Sequence, residues 1–285
     1  MSKERFSFEP FVALNEAIAA EGVEQFADIQ ERFLEAMGAF DELQAAGELT
    51  SGNYQNKGLF FNDVIARLIE RCAGLGVARR GKRPGILMAN VDVDVCFPAE
   101  PGTRPEVIAE TKMMGTPKHP KSPTAGPLGR PGSHDLDKRI REIALNVIDL
   151  KLADADGGAQ PIGDIATWIQ QTTPPFFGFF GIRVVNAGDL AAVIGRAQLL
   201  ANSYANGVGL CLYEPVNPNT PEGRVTYSAV KPPGGMTIDD AIRRICRQIK
   251  SAAGKAPREA TPSLQEASPL PVEASQLSLD DQGPG

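Results

Sequence analysis

The chain has 285 residues, 42% of them hydrophobic and 22% charged, and a formal net charge of −6 at pH 7. It is long enough to bury a substantial core as one large domain with appendages. No apolar run is long enough to span a bilayer, and the acidic balance argues against a protein that coats nucleic acid indiscriminately.

The opening Met1-Ser2-Lys3-Glu4-Arg5 lacks a secretory apolar region, which predicts a cytoplasmic protein with no membrane partner. Cys72, Cys96, Cys211 and Cys246 lie far apart in apolar patterns and imply neither a zinc site nor a disulfide framework. From about Glu9 to Ala46 the spacing is helical, with Phe26, Ile29, Phe33, Met37 and Phe40 recurring at threes and fours. Residues 1–50 are therefore expected to form a helical appendage, packed on the core or on a second subunit. The segment from Gly47 to Gln55, rich in turn formers, links it to a core domain over residues 51–252. A second helix is predicted from about Lys57 to Leu75, with Phe61, Ile65, Leu68, Ile69 and Cys72 facing inward and Asn62 beside that stripe.

A basic turn from Ala78 to Pro84 leads into the densest set of chemistry-bearing residues. Between Gly85 and Gly115 two strands are predicted, Ile86 to Phe97 and Glu106 to Met113, joined by a Pro/Gly turn. A period of two puts Asp92 and Asp94 on one face of the first strand and Glu110 and Lys112 on one face of the second. An in-register hairpin would bring all four together. Neighbouring carboxylates raise one another's pKa unless a cation lies between them, and hard oxygen donors of this kind suit Mg²⁺. A lysine beside them can hold or polarise a water.

The irregular stretch after Gly115 carries Lys118, His119, Lys121 and Arg130, which could contact phosphates, and a helix from Ser133 to Leu152 presents Lys138, Arg139 and Arg141 outward. That helix holds a second D-x-K, Asp149-Leu150-Lys151. On a helix its two charged groups diverge by about 200°, so it is rejected as a site; a strand at 146–152 would make it a rival. From Pro174 a strand-helix-strand unit is read from FFGFFGIRVVN, Asp189 to Ala205 and GVGLCLYEP, which predicts neighbouring strands of a mixed sheet. Val225 to Val230 reads as an edge strand, Thr237 and Asp240 cap a last helix, and residues 253–285 are expected to be disordered.

Asp94 with Glu110-Thr111-Lys112 resembles the signature of the PD-(D/E)xK nuclease superfamily, which includes many type II restriction endonucleases. Val93 stands where the family usually carries proline, and Asp92 is the alternative first acid. The helix NKGLFFNDVIARLIE resembles the one that precedes the acidic hairpin in these nucleases. Asn62 takes the place of its glutamate, and Asp63 or Glu70 are possible substitutes. The resemblance implies an α/β (α+β) fold: a mixed central sheet flanked by helices, with a restriction-endonuclease-like αβββαβ core. It further implies a Mg²⁺-dependent endonuclease of the type II restriction kind, acting on double-stranded DNA as a homodimer. Asp94, Glu110 and the Thr111 carbonyl would hold the cation, Asp92 and Asn62 would support them, and Lys112 would orient the attacking water. The competing expectation is a non-catalytic DNA-binding or assembly subunit.

Overall fold

The structure is a computed structural model that describes residues 7–101, 103–118, 128–154, 165–216 and 225–254. The predicted 253–285 tail lies outside them from 255 onward. Helix α1, Glu9–Glu21, stops at Gly22, whose φ of 69° suits glycine. A short 3₁₀ turn, Phe26–Asp28, then leads to α2, Gln30–Ala46. The helical spacing read from about Glu9 to Ala46 is thus carried by two helices with a short turn between them. The break is fixed from far away in sequence: the Asp239 carboxylate accepts the Phe26 N–H at 2.6 Å and the Ala27 N–H at 3.1 Å. Within the expected link, Thr50 caps a short helix α3, Ser51–Tyr54, and α4 follows at Asn56–Ala73.

Strand β1, Ala78–Arg83, occupies what reads in sequence as a basic turn. Propensity argues against ARRGKR as a strand, but an edge strand tolerates charge. Here Arg79 pairs with Glu70, Arg80 with Asp63, and Lys82 with Asp92. Strand β2 covers Val91–Phe97 and starts later than expected, because residues 86–88 are tied elsewhere. Strand β3, Val107–Met114, follows its prediction to within a residue. Helix α5, Leu136–Asp154, confirms the helical reading of the second D-x-K, and α6 spans Ile165–Gln171. The expected strand-helix-strand unit is β4, Phe176–Arg183, α7, Ala187–Ser203, and β5, Gly207–Val216. Strand β6, Thr226–Val230, and helix α8, Ile238–Ala253, complete the described chain, with the Thr237–Asp240 capping box in place.

The sheet order is β1-β2-β3-β4-β5-β6. β1, β2 and β3 form an antiparallel meander, β3, β4 and β5 run parallel, and β6 returns antiparallel to β5. The fold is mixed α/β, with helices covering both faces of a mixed sheet. On one face, Phe11, Phe33, Phe40, Phe61, Ile242 and Ile245 pack against Val95, Ala109, Phe179 and Tyr213. On the other, Ile140, Ile143, Val193 and Ala197 pack against Ile108, Phe180, Ile182 and Leu212. All eight residues of β4 are buried, which explains the apolar run from Phe176 to Ile182 that precedes Arg183. The N-terminal helices are not set apart from this body: Phe11 of α1 stacks on Phe60 of α4 with ring centroids 4.0 Å apart. No helix among the described residues is long and apolar enough to cross a membrane.

Candidate active site

The β2–β3 ladder runs through Phe97↔Val107, Cys96↔Ile108 and Val95↔Ala109 and ends there. One more step in the same register would pair Asp94 with Glu110. Instead the strands part, and side chains fill the opening. The Asp94 carboxylate accepts the Thr111 backbone N–H at 2.8 Å and the Thr111 hydroxyl at 3.3 Å. Lys112 donates to Asp94 at 2.9 Å and to Glu110 at 2.7 Å, so one ammonium joins both acids. Three of the four residues expected to converge, Asp94, Glu110 and Lys112, are therefore joined.

Their exposures differ in a way that sets their chemistry. The Glu110 side chain is 6% exposed, against 26% for Asp94 and 25% for Lys112. Burial pushes the Glu110 carboxyl up to about 8; Lys112 opposes that rise and Asp94 adds to it. Burial by itself would lower Lys112, but the Glu110 and Asp94 carboxylates outweigh it and hold the ammonium above its ordinary pKa. The site thus keeps its cation at neutral pH, while its most buried acid holds a proton with unusual tenacity.

Asn62 reaches the same opening from α4, in an orientation the sequence did not reveal. Its amide nitrogen donates to the Asp94 carbonyl at 3.0 Å and to the Thr111 hydroxyl at 3.3 Å, bridging the parting strands. Asp63 and Glu70, the possible substitutes, are spent on Arg80 and Arg79 of β1. Asp92 does not join the cluster. Its side chain is 82% exposed and lies 3.4 Å from Lys82. The reason is a reversal of facing within β2: Val91 and Val93 pack in one helical layer, Val95 in the other. Opposite Asp94 in the β1–β2 register, Arg80 takes a φ of 54°, so both strands turn at this point.

Of the basic residues proposed for phosphate contact, Lys118 and Arg130 are exposed beyond the end of β3, where Thr116 and Arg130 exchange backbone hydrogen bonds at 3.1 and 2.8 Å. His119 and Lys121 lie outside the described residues. Lys138 and Arg139 both approach Glu142, at 3.8 and 2.7 Å, and Arg141 is exposed on the same helix. Glu142 was not singled out in the sequence. Its carboxyl is held below its ordinary pKa first by Arg139, with further contributions from Lys138 and Lys112, which places this turn of α5 within electrostatic reach of the site. Only a long-range contact could have revealed that.

The second D-x-K serves structure. Asp149 is fully buried and accepts the backbone N–H groups of Ile86, Leu87 and Met88 at 2.7, 2.6 and 3.1 Å. Lys151 donates to the carbonyls of Thr172 and Pro174 at 2.6 and 2.7 Å.

Asp94 and Glu110 are the acids here that could hold a cation, and among the described residues no group of three or more His, Cys, Asp or Glu is arranged for one. The donor set nevertheless suits a small hard ion: two carboxylates meet, and Glu110 Oε1 is buried without a hydrogen-bond partner. Compared with known proteins, the chain matches no family model, no curated protein and no solved structure.

Proposed function

We propose that this chain is a Mg²⁺-dependent endonuclease that hydrolyses phosphodiester bonds in double-stranded DNA, with the restriction-endonuclease-like αβββαβ core and its active site at Asp94, Glu110 and Lys112. One observation carries the reading: the two acids and the lysine meet where β2 and β3 separate, as the spacing of the motif requires. The helix, three-strand meander, helix and parallel strand in that order are in keeping with it.

Asp94, Glu110 and the Thr111 carbonyl would hold the cation, which when bound neutralises the scissile phosphate and acidifies water. Lys112, already flanked by both acids, is positioned to orient the attacking water and to offset charge building on the phosphate. Asn62 holds the Asp94 backbone and the Thr111 hydroxyl, so it supports the site through the strands. The exposed Lys118, Arg130, Lys138, Arg139 and Arg141 would offer positive charge to the DNA backbone on either side. A homodimer would present two such sites to the two strands, and a cytoplasmic location fits a DNA substrate.

A second reading is a DNA-binding or assembly subunit without catalysis. It is favoured by the amide at position 62, which turns its nitrogen toward the strands and adds no charge to the site. Incubating purified protein with plasmid DNA in Mg²⁺, and in EDTA, separates the two. Discrete bands that vanish with EDTA support a restriction enzyme, and a smear a less selective nuclease. Lys112→Ala should abolish cleavage and leave DNA binding in a gel-shift assay unchanged. Cleavage retained by that variant, or no cleavage by the parent chain, would remove the catalytic reading.

A further inference from the structure

The two edges of the sheet are finished differently. Strand β1 carries Arg79, Arg80, Lys82 and Arg83 and the positive φ of Arg80, features that discourage another strand from adding on. Strand β6, TYSAV, carries no charge, and among the described residues no strand pairs with its outer side.

The direction of its free backbone groups follows from β5. The Tyr213 carbonyl accepts the Val184 N–H, so Tyr213 turns its backbone toward β4 and away from β6. Its partner in the β5–β6 register is Ala229, which must then point its own N–H and C=O outward. Tyr227, two residues back, shares that phase and stands opposite Pro215, which has no N–H to give. The outer edge of β6 therefore presents the N–H and C=O of Tyr227 and Ala229, which are open to pairing with a further strand.

Tyr227 and Ala229 also line a cavity of about 660 Å³ between β6 and α2. Its other wall carries Glu31 and Glu35, one helical turn apart, with Leu34 between them. Neither glutamate has an ion pair among the described residues, and like charges at this spacing destabilise a helix slightly. Glu42, on the same wall, is already engaged by the Val225 N–H at 2.8 Å. A strand laid along β6 would direct alternate side chains into this cavity, toward Glu31 and Glu35. Basic side chains complement that wall and phosphate groups do not, so the occupant is a peptide and not nucleic acid. The chain's own C-terminal segment is a poor fit, since beyond Arg258 its charged residues, Glu259, Glu266, Glu273, Asp280 and Asp281, are all acidic.

We propose that β6 and the Glu31/Glu35 wall of α2 form a docking site for an extended basic segment of a partner protein, added to the sheet as a further strand. Backbone pairing would supply affinity, and the glutamates would select lysine or arginine at every second position. Strands β4 and β5 separate this edge from Asp94, Glu110 and Lys112, so the inference stands independently of the nuclease reading.

The probe is a fluorescein-labelled peptide of alternating lysine and threonine, titrated with the full chain and followed by anisotropy. Binding is expected for it and not for the glutamate–threonine counterpart, and N-methylation of alternate backbone amides should abolish it. The double variant Glu31→Lys/Glu35→Lys should bind at least about tenfold more weakly, as a lost electrostatic match requires. Ala229→Pro, which removes one outward N–H, should weaken binding as well. Circular dichroism melts establish that each variant is folded, and the charge reversal lies on an exposed helix face and keeps the test valid if Ala229→Pro is not. Equal binding of both peptides, indifference to the charge reversal, or no binding would overturn the proposal. So would self-association through β6, seen as a sedimenting dimer that Ala229→Pro dissolves.

Discussion

Replacing Glu110 by glutamine keeps the shape of the most buried acid in the cluster and removes its proton, so it isolates what ionisation does there. The folded carboxyl titrates at about 8, against an ordinary value of 4.5. Below 4.5 the group is protonated in both folded and unfolded chains and burial of its charge costs nothing. Between 4.5 and 8 the unfolded chain ionises while the folded site keeps its proton, so stability falls as pH rises. Above 8 the loss is complete. The difference of about 3.5 units, at 1.36 kcal/mol each, corresponds to about 5 kcal/mol as an upper bound. Glutamine has no such slope. The glutamine oxygen can still accept from Lys112, which also keeps Asp94 and stays charged over this range, so the ammonium adds no tilt of its own to the curve. Urea unfolding of both proteins in EDTA from pH 5 to pH 9 should therefore show Glu110→Gln gaining several kcal/mol relative to the parent as pH rises. Parallel curves would show that Glu110 ionises freely and would refute the account of the site as one that resists a second negative charge.

If Mg²⁺ binds at Asp94 and Glu110, it must displace the Glu110 proton, so affinity should rise with pH up to about 8. Calorimetry in buffers of different ionisation enthalpy should detect proton release near neutrality, and no release would place the ion elsewhere. Asp149→Ala strands three backbone donors in a buried place, each worth about 1–3 kcal/mol. A loss of at least about 3 kcal/mol in urea unfolding is expected, with faster hydrogen exchange at Ile86, Leu87 and Met88. Gly115→Ala puts a Cβ at 2.8 Å from both the Cβ and the carbonyl oxygen of Arg183, at a φ of 82°. A cost of about 2–4 kcal/mol is expected from strain and overlap together, and an unchanged melt would mean the β3 end can move aside.

Much of the architecture was legible because local pattern and long-range packing agree. The apolar run of β4, the helical stripe of α4 and the capping box of α8 each point one way and are found so. What was not legible depends on contacts between distant segments. Strand β1 is a strand because β2 needs an outer partner and Glu70, Asp63 and Asp92 neutralise three of its cations, none of which ARRGKR reveals. The division of α1 from α2 is fixed by Asp239, over two hundred residues away. The turn of Asn62 toward the Asp94 carbonyl follows from how α4 sits on the sheet.

The two copies of an acid-x-lysine pattern show how far sequence reasoning reaches in this site. Glu110-Thr111-Lys112 lies on β3, where a period of two turns both charges to one side, and the ammonium meets the carboxylate at 2.7 Å. Asp149-Leu150-Lys151 lies on α5, where the same spacing sends the two groups apart, one to the 86–88 backbone and the other to Thr172 and Pro174. Secondary structure alone decides between them, and that was readable. The choice between Asp92 and Asp94 was not, because the same rule of two fails there. It assumes a strand of constant facing, and β2 reverses its facing between Val93 and Val95. The reversal falls where Arg80 takes a positive φ on one side and the ladder to β3 ends on the other. A regular β2 would continue that ladder through Asp94 and Glu110 and leave no gap for Lys112 and Thr111 to fill, so the irregularity that defeats the pattern is also what opens the site.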